Sequence, residues 1–157
     1  FGGSRFNLTE AGTAAVFLAV GLLMSAVQGG LIGPLTQKFG SLKLLRVGQV
    51  LVAVGMLFLG AAVIWPVLIL ALALMVVGAG IASPSLTTLV ANSAPEAKRG
   101  EVLGFQQSSN ALARVIGPPL AGLAFDHVGI GAPFTLGAGV YLVAILVASR
   151  RSLQHAK

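Results

Sequence analysis

Long apolar runs broken by short polar interruptions dominate the chain. Five of them, approximately residues 11–35, 44–64, 67–91, 102–125 and 133–149, are near the ~20 residues that a helix needs to cross a ~30 Å hydrocarbon core. The strict apolar–polar alternation of a barrel strand is missing from all five. An open sheet would leave backbone groups unpaired in lipid, so the runs predict helices. The expected fold is an all-α membrane protein with five transmembrane helices.

The interruptions carry a second pattern. Lys38, Lys43 and Arg46 fall between the first two runs, Lys98 and Arg99 between the third and fourth, and Arg150, Arg151 and Lys157 after the fifth. The other two connections, Trp65-Pro66 and residues 126–132, contain no Lys or Arg, and the segment before the first run holds only Arg5. Cytoplasmic loops are enriched in Lys and Arg. The alternation therefore predicts a multi-pass protein of the cytoplasmic (inner) membrane, with the N-terminus of this chain outside and its C-terminus in the cytoplasm. Trp65 at an outer turn suits an interfacial aromatic or an ordinary loop tip.

Composition supports lipid as the main surrounding. Only 9% of the 157 residues are charged and 56% are hydrophobic, whereas soluble domains carry about 25% charged residues. The net charge of +6 would suit nucleic acid if it formed a basic face, but these basic residues lie between apolar runs, so no nucleic-acid partner is expected. Absence of cysteine excludes disulfides, thiolate metal sites and thiol catalysis. His127 and His155 are far apart and have few carboxylates near them in sequence. No metal, cofactor or enzymatic activity is expected. The chain opens at Phe1 without a recognisable secretory signal, as expected of a piece of a longer polypeptide.

Two segments resemble the major facilitator superfamily. Residues 33–43, Gly-Pro-Leu-Thr-Gln-Lys-Phe-Gly-Ser-Leu-Lys, are similar to its G-x-L-x-D-R-x-G-R-R signature, in the weaker copy between the eighth and ninth helices. Gly33, Leu35, Lys38 and Gly40 match; Gln37 replaces the acid, and Ser41-Leu42 replace the basic pair. Residues 84–122 hold Ala94-Pro95-Glu96, Lys98-Arg99-Gly100, Gly104, Gln107-Ser108 and Gly117-Pro118-Pro119-Leu120-Ala121-Gly122, followed by Pro133-Phe134. These marks resemble the drug–proton antiporter branch, which includes tetracycline and multidrug exporters. The resemblance implies that the five runs are helices eight to twelve, an incomplete C-terminal six-helix half. It implies cytoplasmic eight–nine and ten–eleven loops. It also implies, as partners, the lipid bilayer, a small-molecule substrate and the missing N-terminal half of the same chain. Gly117, Pro118 and Gly122 resemble the G-P-x-x-G antiporter motif in its pseudo-symmetric copy, with close packing and a kink as its expected work.

The fourth run holds the polar residues that a transport cavity would use. Gln106, Asn110 and Arg114 recur every four residues and share a helix face, with Gln107 beside them. Arg114 lies deep in the run, where a charge costs at least ~2.5 kcal/mol unless it faces water or a partner. Two readings stand: Arg114 receives an anionic group, or it is a structural arginine satisfied by carbonyls or by an acid on a missing helix. Glu10, Glu96, Glu101 and Asp126 all lie at or beyond run ends, so a proton-coupling acid is expected outside this chain. In the third run Ser83, Thr87 and their neighbours around Pro84 either line the cavity or bond their own backbone. Gln28 is a further cavity candidate. Gly21, Ser25, Gly29 and Gly33 form a small-residue row suited to helix packing. The second and fifth runs, apolar nearly all round, are expected to be lipid-facing supports.

The expected function is alternating-access transport of small solutes, with proton-coupled efflux of drug-like compounds first. An uptake symporter for a sugar or organic acid, and a non-transporting five-span scaffold, are the alternatives.

Overall fold

The computed structural model describes residues 9–129 and 131–154; Arg5, His155 and Lys157 lie outside them. Among the described residues there are five helices and no strand: α1 (Glu10–Phe39), α2 (Ser41–Ala61), α3 (Trp65–Ser93), α4 (Arg99–His127) and α5 (Ala132–Gln154). A 3-10 turn, Glu96–Lys98, leads into α4. By length and composition α1, α2 and α3 are each able to cross a membrane, and α5 contains a shorter apolar stretch, Ala132–Leu146. α4 is also long, but Gln106, Gln107, Asn110 and Arg114 dilute its hydropathy.

Thr9 caps α1 by accepting a 3.2 Å hydrogen bond from the Gly12 amide, and Glu10 places a negative charge in the first turn, where the helix dipole favours it. Midway, residues Val27–Leu31 form a π turn. Its cause is visible in the side that α1 turns toward α3. Val16, Val20, Leu23 and Val27 follow the α-helical spacing along that side, but the next residues to pack there are Ile32 and Leu35. One extra residue in the π turn restores the phase, and Gly29-Gly30 supply a segment with weak helix preference. α1 then ends at Gly40, whose φ of 76° and ψ of 151° belong to a region that is essentially glycine-only. That one residue turns the chain directly into α2.

α2 is the centre of the bundle. It buries Leu44, Leu45, Gly48, Val52, Ala53, Gly55 and Leu59, with one side packed on α3 and another on α5, while Val47, Val50, Val54 and Leu57 keep an exposed apolar face. A methyl carbon built at Gly48 would lie 2.7 Å from the Gly78 carbonyl oxygen, and one at Gly78 would lie 2.7 Å from that of Gly48. One built at Gly55 would meet the Ala71 carbonyl at 2.9 Å. The two backbones touch along this seam. Toward α5, a methyl at Gly131 would sit 3.0 Å from the Gly60 carbonyl, and one at Gly137 would sit 2.9 Å from the Met56 sulfur. Leu59, Ala62, Leu68 and Ala71 close the end of the α2–α3 hairpin. α2 stops at Ala61, short of Ile64, because Ala62 turns extended (ψ 117°) before Pro66 enters the first turn of α3, a position where its missing N–H costs nothing.

The outer helices are held loosely. No side chain of Glu10–Ala26 or of α4 is buried. The small-residue row of α1 does not serve a contact within the described residues, since nothing lies within 4 Å of a methyl built at Gly21, Gly29 or Gly33.

The seam gives a prediction whose sign is set by competing terms. Gly48→Ala gains about 1 kcal/mol of helix propensity but drives a methyl into the facing backbone, at a cost of about 1–3 kcal/mol or more. Packing wins: thermal unfolding of the intact protein in detergent should show a lowered midpoint, and a raised midpoint would contradict the seam.

Candidate solute site on α3 and α4

The middle of α3 contains Pro84, which lacks a backbone donor, and the hydroxyls that follow it bond back to their own helix. Ser85 donates to the Ile81 carbonyl at 2.7 Å, Thr87 to that of Ser83 at 3.2 Å, and Thr88 to that of Pro84 at 2.9 Å. The own-backbone reading of this segment therefore holds for these three hydroxyls. The hydroxyl hydrogens of Ser85 and Thr88 serve their own helix, whereas the Thr87 oxygen also accepts from Gln106 Nε2 at 3.4 Å. That contact joins α3 to α4. Arg99 Nε makes a second tie, donating to the Ala91 carbonyl at 3.2 Å.

Behind these ties lies a cavity of about 210 Å³ reached by four helices: Gln49 from α2, Ser83 from α3, Gln106 and Asn110 from α4, and Tyr141 from α5, with Leu45, Ala79, Ala82 and Leu86 as apolar walls. The structure thus brings together three of the expected residues, Ser83, Gln106 and Asn110, and sets Thr87 against their edge. Gln107 and Arg114 are exposed on α4 and do not line the cavity. Gln28 is exposed within the π turn of α1 and stands apart from the group. Gln49 and Tyr141 were not anticipated. Each is a hydrogen-bonding side chain within an apolar run, and that signal was available.

Among the motif residues, Gly40 makes the turn described above, and the Lys38 ammonium lies 5.4 Å from the Phe39 ring centroid. Gly33, Gly117 and Gly122 face open space within the described residues. Pro118 lies within an unbroken α4. No group of His, Asp or Glu able to hold a metal occurs among the described residues.

A helical bundle with apolar outer faces and an internal patch of uncharged polar groups defines a membrane-embedded protein with a solute-sized pocket. Residues 3–154 match the model of the Major Facilitator Superfamily, and the chain belongs to that family. It is 28% identical over 148 residues to human major facilitator superfamily domain-containing protein 10, covering 94% of this chain and 32% of that protein. It is 30% identical over 135 residues to multidrug resistance protein MdtG of Salmonella paratyphi A, covering 85% and 33%. The crystal structure of the human organic anion transporter MFSD10 (TETRAN) superposes with a TM-score of 0.85 at 28% identity, over 94% of this chain and 34% of that one. The chain spans about a third of the length of the relatives it matches.

The α3–α4 tie is long and exposed, so it should contribute little. A double-mutant cycle between Thr87→Val and Gln106→Leu is expected to give a coupling below about 1 kcal/mol in stability, within the range of single neutral hydrogen bonds. A coupling of several kcal/mol would mean that this contact, not the α2–α3 seam, holds the bundle.

Proposed function

We propose that this chain is the C-terminal portion, helices eight to twelve, of a transporter that moves small amphipathic solutes across the cytoplasmic membrane by alternating access. Outward, proton-coupled export is the favoured mode, as in the drug–proton antiporter branch. Two kinds of support converge on it: similarity to a multidrug resistance protein and the polar residues of α3 and α4. The single observation that carries the choice of substrate is Arg114. It is a lone cation, exposed on an otherwise apolar part of α4 whose Leu112, Val115 and Ile116 are also exposed. A guanidinium held at that depth is stable only opposite water or an anion.

Arg114 receives the anionic end of the solute in this reading. An organic acid fits better than an uncharged drug, and the named activity of the human organic anion transporter MFSD10 points the same way. A second reading, uptake of an organic acid, uses the same arginine and differs only in direction. Gln28 and Gln107, exposed on α1 and α4, are candidate contacts for the solute in this reading. Lys38, Lys43 and Arg46 around the Gly40 turn, and Lys98 and Arg99 at the start of α4, face the cytoplasm in this reading. Protons enter through residues outside this chain, because none of its carboxylates lies inside a span. Transport by alternating access needs two halves around the solute, so this chain alone should not transport.

The test is transport by the intact protein in inverted membrane vesicles. Arg114→Ala is expected to reduce movement of an anionic amphiphile by at least about tenfold, the effect of losing ~1.4 kcal/mol of solute attraction, while Arg114→Lys keeps part of it. Normal anion transport by a well-expressed Arg114→Ala protein would remove the proposal.

A further inference from the structure

The cavity between α2, α3, α4 and α5 has a chemistry of its own. Its polar side chains, Gln49, Ser83, Gln106, Asn110 and Tyr141, are all uncharged, and no Asp, Glu, Lys, Arg or His lines it. Arg46 lies one turn from Gln49 and Arg114 one turn beyond Asn110, yet neither reaches the lining. The side-chain oxygen of Gln49 is buried and accepts no hydrogen bond among the described residues. A buried acceptor left without a donor costs about 1–3 kcal/mol. The apolar remainder of the wall, Leu45, Ala79, Ala82 and Leu86, gives a non-polar body somewhere to rest.

The geometry points to a binding pocket for an uncharged hydroxyl- or amide-bearing group, seated within this helical bundle and donating a hydrogen bond to Gln49. A volume of about 210 Å³ holds several groups the size of water, each ~30 Å³ in the liquid. Water fills the pocket when no solute is present. An ion is disfavoured because no wall residue carries a charge to offset its desolvation. Placed behind Arg114 by about one helical turn, ~6 Å along α4 from Asn110, the pocket reads the neutral polar end of a solute whose anionic end meets the arginine. This role in transport rests on the reading of Arg114. The pocket's own selectivity does not.

Absence of cysteine from this chain permits a direct test in the intact protein, with any cysteines elsewhere replaced. Gln49→Cys and, separately, Ala79→Cys would be treated with three methanethiosulfonates of similar size: hydroxyethyl, sulfonatoethyl and trimethylammonioethyl. Ile69→Cys, in the wholly apolar crevice between α1 and α3, serves as the dry comparison. The hydroxyethyl reagent should label both pocket cysteines faster than Ile69→Cys. Both charged reagents should react there at least about tenfold more slowly, as the desolvation of an ion requires. Equal labelling by all three reagents would overturn the proposal, and so would hydroxyethyl rates no faster than at Ile69→Cys. Ala79→Cys leaves Gln49 in place, so the test survives misfolding of the Gln49 variant. Failure of the Arg114 transport test would leave these rates unchanged.

Discussion

Direct backbone contact between α2 and α3 is the constraint on which the rest of the bundle depends. In lipid there is no hydrophobic drive to bring helices together, so association relies on close packing and on small residues that allow it. Gly48 and Gly78 each approach the carbonyl of the other so closely that a methyl at either would sit 2.7 Å from it. Gly55 against Ala71 and Met75 extends the seam by two turns. With α2 and α3 fixed, Gly60 and Met56 can receive Gly131 and Gly137 of α5, and three helices become one block.

What the block leaves free is equally informative. α1 touches it through Val27, Ile32 and Leu35 and keeps that side in phase only by inserting a π turn, a feature frequent at functional sites. α4 has no buried residue and is tied by one 3.4 Å hydrogen bond and one arginine contact. Its exposed surface combines Phe105, Val115 and Leu120 with the polar stripe. Among the described residues α4 has the fewest ties to the block, and in the proposed alternating-access cycle it is the helix expected to shift. The polar pocket lies between block and helix, where such a shift would open or close it.

Much of this was readable from the residues. Apolar run length marked all five helices, and the missed end of α2 reflects the extended Ala62 before Trp65-Pro66. The turn at Gly40 was legible because a resemblance pointed to it and its backbone requires glycine. The α2–α3 contact was not anticipated. A four-residue row of small side chains picked Gly21, Ser25, Gly29 and Gly33, whose glycines meet nothing among the described residues, whereas the α2–α3 seam uses a seven-residue spacing, Gly48 with Gly55 and Ala71 with Gly78. Either spacing returns to one helix face, so periodicity could not choose between them; the partner surface does. Uniform apolarity could not show which sides of α2 pack on α3 and α5, since in a membrane protein lipid and a packed helix demand the same side chains. On the site, a stripe on α4 was visible, but which of its members turn inward depends on α2 and α5. Gln106 and Asn110 proved to share a pocket with Gln49 and Tyr141, while Arg114, 40° further round the helix per turn of four, faces out.

The division into a fixed block and a loose helix is open to distance measurement. Spin labels would be placed on the intact protein in nanodiscs as two pairs, Val50 with Leu70 across α2 and α3, and Val50 with Leu112 across α2 and α4. Distances would be recorded at rest and under a proton gradient. A narrow α2–α3 distribution that stays in place, beside an α2–α4 distribution that moves, is the predicted result. An α2–α3 distance that shifts as much as the α2–α4 distance would contradict the account.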